Sequence, residues 1–366
     1  MRSSVPVAAS VVQRQTSIAG PSLALARLTP LRLAGLFLLF FLIACGLGYP
    51  TLNRYDPLHT PGLSDVQSYA ALVTGEPAPG PDHMRFRVLV PWLARAFYHL
   101  ARGRSGSWDP VMFGLLSVDS LLVAATALLI VMLGVAELGG YPAALVAALL
   151  YLVNFAVSNL RLAGLVDAGE GFFLLAVFWS LAECRFWPLP LLALVGALTK
   201  ESFVPFMIVF TASWWMVAHR KLNSAAASAI WIAASWLIGL AALTLLHWSV
   251  TGRFESPLAF AASLQGDHAY LRHFFPALFD RNSLYIFVWL LPLGIPRLKR
   301  FPKSWLVPVA ATSALVFILD AYYSGAPGTA GRALFTTAGP LLALSSASYL
   351  LGEPPALSSS ATAPVR

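Results

Sequence analysis

Apolar runs long enough to cross a bilayer recur along this chain, and no other feature limits its folding as strongly. They lie near 31–49, 111–133, 140–158, 170–184, 186–199, 202–218, 225–250, 284–296, 304–320 and 332–351. A hydrocarbon core about 30 Å thick asks for about 20 such residues per helix. Within lipid the backbone must satisfy its own hydrogen bonds, which favours helix over open strand. The chain is 58% hydrophobic and 11% charged, against about 45–50% and about 25% in soluble domains. A larger core does not account for that departure, because a soluble protein must still wet its surface. The sequence therefore predicts an all-α integral membrane protein with about ten transmembrane helices. The fourth, fifth and eighth are short and partly re-entrant in this reading. Residues 31–351 form the polytopic domain, between disordered tails at 1–30 and 352–366.

Orientation follows the basic residues. Arg14, Arg27 and Arg32 precede the first run, Arg220 and Lys221 follow the sixth, and Arg297, Lys299, Arg300 and Lys303 follow the eighth. A cytoplasmic N-terminus places all three groups inside, as the positive-inside rule requires. The even helix count then returns the C-terminus to the cytoplasm. The net charge of +8 is explained by these groups, and nucleic acid is not expected as a partner. Leu42-Ile43-Ala44-Cys45 resembles a lipoprotein cleavage box, but the basic segment before it is long for a signal peptide. A retained first helix is the expectation. Cys45 and Cys184 fall near opposite faces, so no disulfide is expected, and no Cys or His spacing suits a metal.

Two stretches are predicted outside, 50–110 and 251–283. Within the first, Leu89, Trp92, Leu93, Ala96, Phe97 and Leu100 recur at helical spacing between Arg85, Arg87, Arg95 and Arg102. This pattern reads as a helix lying in the outer interface. Only Glu137, Glu183 and Glu353 among the acids fall inside; the rest lie outside or at outer helix ends. Acids contribute little to topology, so the bias points to a polar site at the outer boundary.

The residues of that site are short motifs, each with a plain structural alternative. Asp65, in Gly62-Leu63-Ser64-Asp65, can take a proton from an attacking hydroxyl or occupy a helix-capping position. Arg85 and Arg87 can clamp phosphate or anchor to anionic headgroups. Asp167 and Glu170 open an apolar helix, where acids also complement the dipole. Lys200 and Glu201 can meet and orient a phosphate or pair with each other at a helix junction. Arg332 begins the last helix, where a positive charge opposes the dipole. It calls for an anionic partner, either Asp320 or a ligand phosphate. His268 and His273 lack zinc-site spacing, and no nucleotide loop or serine elbow is present.

The order of these motifs resembles the bacterial multi-spanning members of the GT-C glycosyltransferase superfamily. An outer-loop Asp65 with Tyr69 soon after is followed by Arg85-Phe86-Arg87-Val88-Leu89-Val90-Pro91. Asp167 then opens a middle helix, Lys200-Glu201-Ser202-Phe203-Val204-Pro205 follows, and Arg332 begins a late one. The resemblance covers most of 31–351. It implies a GT-C-like fold in a bacterial inner membrane and a sugar donor on polyprenyl phosphate or diphosphate. It implies a glycan, lipid or protein acceptor and Asp65 as general base. Tyr69, Arg85, Arg87, Asp167, Glu170, Lys200, Glu201 and Arg332 become the substrate-binding set. It fixes no cofactor; a divalent cation, magnesium or manganese, stays open. Ser64 precedes Asp65 and Val66 follows it, however, where many members carry a second acid.

Two other classes remain. A transporter or lipid flippase tends to carry internal repeats and charges at mid-membrane. No repeat is evident here, and the charges gather at one boundary. An O-antigen ligase- or polymerase-like enzyme is kept open by the charged 251–283 stretch.

Overall fold

The computed structural model describes residues 29–54, 64–76, 82–222, 224–254, 281–323 and 329–352. The tails, His268, His273 and most of the 251–283 stretch lie outside them. The described residues hold α-helices and tight helical turns, with no strand.

In chain order the helices are α1 (Pro30–Arg54), α2 (Ser64–Thr74), α3 (Leu89–Ala101), α4 (Pro110–Leu138), α5 (Tyr141–Leu152), α6 (Asp167–Ala182) and α7 (Leu189–Ala197). They continue as α8 (Phe203–Ala218), α9 (Ala225–Thr251), α10 (Arg281–Phe287), α11 (Leu290–Gly294), α12 (Lys303–Tyr323) and α13 (Thr329–Leu350). Five, namely α1, α4, α9, α12 and α13, are long and apolar enough to cross a membrane. Helices α5 and α8 are equally apolar but shorter.

Helix α4 shows why the sequence places an element where it does. Asp109 accepts hydrogen bonds from the Val111 and Met112 amides, both at 2.8 Å. Pro110 occupies the first turn, where its missing N–H costs nothing. The helix ends at Gly139, whose φ of +71° favours glycine. Nineteen of its residues are buried on all sides, making α4 the central post. Helices α1, α3, α5 and α6 pack around it, and α13 closes on α5 and α6. Helices α7, α8 and α9 form a second group, joined through α8 to α12.

The outward faces are apolar. Leu38, Leu39 and Leu42 on α1 and Ile230, Leu237, Leu245 and Trp248 on α9 are exposed, while α9 buries Ser228, Ser235 and His247. That inversion suits lipid rather than water. Helix α3 buries Val90, Pro91, Ala94 and Ala101 and exposes Trp92, Leu93 and Leu100. The predicted apolar stripe is thus mostly the free face of α3. The fit against α4 is tight, since a Cβ on Gly114 would meet the Ala94 carbonyl at 2.6 Å. Gly114→Ala is expected to lower stability by about 1–3 kcal/mol, measurable by thermal unfolding in detergent.

Three expected segments differ. The run 140–158 stops as helix at Leu152 and resumes as a π turn over Val157–Arg161. Asn154 causes the break: its side chain accepts from the Ala156 amide at 2.9 Å and donates to the Ile286 carbonyl at 3.0 Å. The run 186–199 yields nine helical residues, about 14 Å of helix at 1.5 Å per residue. The run 284–296 breaks into α10, α11 and a 3-10 turn over Ile295–Arg300, where Pro292 and Pro296 each remove a backbone donor.

Candidate functional site

The N-terminal ends of α6, α8 and α13 meet, and the segment before α3 runs into the same place. The Leu89 amide donates to the Leu198 carbonyl at 2.9 Å, which ties the start of α3 to the end of α7. A Cβ on Gly169 would meet Thr199 at 3.0 Å and Val90 at 3.3 Å, so α6 joins the junction at close range.

An ionic network fills it. Lys200 Nζ donates to Asp167 Oδ1 at 2.8 Å and to Glu170 Oε2 at 3.2 Å. Glu170 also accepts from the Ser202 hydroxyl. Arg332 Nη1 lies 3.6 Å from Asp167 Oδ2. Arg87 grips Glu201 with both edges of its fork, Nε reaching Oε2 at 2.9 Å and Nη2 reaching Oε1. Its Nη1 donates to the Tyr69 hydroxyl at 2.9 Å. Asp65, half-buried in the first turn of α2, lies within electrostatic reach of Tyr69 and Arg332.

Of the two readings of Lys200-Glu201, the mutual pair does not form: Lys200 turns to α6 and Glu201 to Arg87. Arg85 is exposed where Arg87 is buried. The partner Arg332 meets is Asp167. The remaining residues of the predicted set, Asp65, Tyr69, Arg87, Asp167, Glu170, Lys200, Glu201 and Arg332, do come together.

Burial makes these pairs matter, since an unmatched charge here has little water to turn to. Burial lifts the Tyr69 phenol to about 12 even though Arg87 pulls it down, so it stays neutral. Burial works against the Lys200 ammonium, but Asp167 and Glu170 outweigh it and raise its pKa above the ordinary lysine value. Burial likewise opposes the Glu201 charge, and Arg87 overcomes it, bringing the carboxyl down to about 2 from 4.5. A depressed carboxyl stabilises the fold above its unfolded value and loses that contribution as pH falls through its folded value. Thermal stability is therefore expected to drop between pH 4.5 and about 2, and Glu201→Gln should flatten part of that drop.

Sequence reasoning missed a layer beneath this network. Arg161 is 2% exposed. It donates to the Tyr151 hydroxyl at 2.7 Å and to Thr336 Oγ1 at 3.1 Å, and it stacks on the Phe335 ring at 5.1 Å. Gly171 admits it, because a Cβ there would collide with the guanidinium. Asp119, inside α4, is fully buried. Their signal was a lone charge inside an apolar run, Leu160-Arg161-Leu162 and Val118-Asp119-Ser120.

Among the described residues no group of three or more His, Cys, Asp or Glu can hold a metal ion. Asp167 and Glu170 both face Lys200. No family model, curated protein or solved structure matches the chain.

Proposed function

We propose that this chain is a multi-pass membrane glycosyltransferase of GT-C type that moves a sugar from a polyprenyl-phosphate or diphosphate donor to an acceptor hydroxyl. The observation that carries this reading is the meeting of Arg87, Lys200 and Arg332 with Asp65 at three helix N-termini. Helix N-termini favour anions, and cations beside them stabilise the charge developing on a lipid phosphate as it leaves. Arg332 is the cation suited to phosphate, having the longest contact of the three. Lys200 and Arg87 hold carboxylates at hydrogen-bond distance and position the network. Asp65 takes the acceptor proton.

The basic turns support the orientation. His219–Lys221 lies at the far end of α8, and Arg300 reaches Ser348 at the far end of α13. With those turns cytoplasmic, the ionic network faces the outside of a bacterial inner membrane and both termini face in. The free apolar face of α3 then rests in the outer leaflet.

The test is to incubate the purified protein with a panel of polyprenyl-phosphate sugars. One donor should lose its sugar, which should appear on glycan, protein or lipid. No consumption of any donor would overturn the reading. A transporter or flippase is the second reading, favoured by the ionisable side chains of Asp119 and Arg161 inside the bundle. Substrate flux in vesicles without sugar transfer would select it.

A further inference from the structure

Asp119 sits nine residues past Pro110 in α4, about 14 Å along the helix at 1.5 Å per residue. It is completely buried, and neither carboxyl oxygen has a hydrogen-bond partner. One short turn supplies the groups that face it. Arg161 ends the π turn, Gly164 brings its backbone near the carboxyl, and Asp167 opens α6. Gly164, at φ +79°, lets the turn wrap this closely. From α5, Tyr151 reaches the same space through its hydrogen bond with Arg161.

A carboxylate with no donor is among the most expensive groups to bury, and a neutral acid is far cheaper. Asp167 adds to the cost by its like charge. Arg161 opposes both effects, yet it donates to the neutral Tyr151 and Thr336 hydroxyls. The acid and the guanidinium are therefore neighbours that have not closed on each other.

We propose that Asp119 is a proton-binding site within the bundle, holding one proton with Arg161 as the counter-charge for the carboxylate left when that proton departs. The exchange is a plain acid dissociation. The carboxyl O–H bond breaks, its electron pair stays on oxygen, and the proton passes to water at the ionic network. Because Asp167 belongs to both layers, proton occupancy and the Lys200–Arg332 network are thermodynamically linked. The inference stands independently of the transferase reading.

Infrared difference spectroscopy on the full chain in lipid nanodiscs, titrated with pH, reads the site directly. A protonated carboxylic acid band is expected at neutral pH, sensitive to deuterium exchange and to isotope-labelled aspartate. Asp119→Asn should remove it and Asp119→Glu should move it. Arg161→Gln removes the favourable positive charge, so the band should persist to higher pH by about one unit or more. A wild-type spectrum without that band at neutral pH overturns the proposal. So does a band unchanged in Asp119→Glu, which keeps the test open should Asp119→Asn fail to fold. A midpoint unmoved in a folded Arg161→Gln protein removes Arg161 from the proposal.

Discussion

Lys200→Met is expected to destabilise the protein by about 3–5 kcal/mol, the cost of removing one partner from a buried ion pair. Lys200 serves two carboxylates on α6, at 2.8 and 3.2 Å, and both are buried. Asp167 keeps Arg332 after the change, at 3.6 Å. Glu170 keeps the neutral Ser202 hydroxyl, so its charge is the main casualty. The loss should therefore be partly repaired by Glu170→Gln in the Lys200→Met background, which removes the uncompensated charge. Thermal or denaturant unfolding in detergent measures the four proteins of the cycle. Strict additivity would mean that Lys200 and Glu170 do not act as a unit.

Long apolar runs were readable because they are local. The run 111–133 falls inside α4, which continues to Leu138, and Trp92, Leu93 and Leu100 marked the free face of α3. The gathering of charges was readable for a different reason. Topology assigned Asp167, Lys200 and Arg332 to one side, and burial then left them only each other. The choice of partners was not readable. Glu201 follows Lys200 in sequence, yet the turn before α8 sends their side chains in different directions, one to Arg87 and one to α6. Adjacent residues in a tight turn diverge, so chain proximity predicted the wrong pair. Asn154 hid the end of α5 in a similar way, because its effect depends on a carbonyl at Ile286. Asp119 and Arg161 were visible as lone charges, but nothing local told that the turn after Arg161 would fold back beside α4.

Asp65→Asn should lower sugar transfer by about 10²–10⁴-fold while leaving the protein folded, the loss typical of removing a general base. The choice of Asp65 follows from its position and its exposure, where Asp167 and Glu170 are buried. Asp65 is half-buried at the start of α2, within electrostatic reach of Arg332. It can therefore sense the cation proposed to bind phosphate and still meet an acceptor from the aqueous side. Asparagine keeps the size and the capping ability of aspartate, so the structural cost is limited to the charge at a helix N-terminus, about 0.3–1 kcal/mol. The kinetic signature separates roles: loss of the base lowers kcat, whereas loss of a binding group raises KM. Arg332→Gln should weaken donor binding as well as turnover. Unchanged kcat in a folded Asp65→Asn protein would move the base to another residue, while the ionic network and its stability would remain as described.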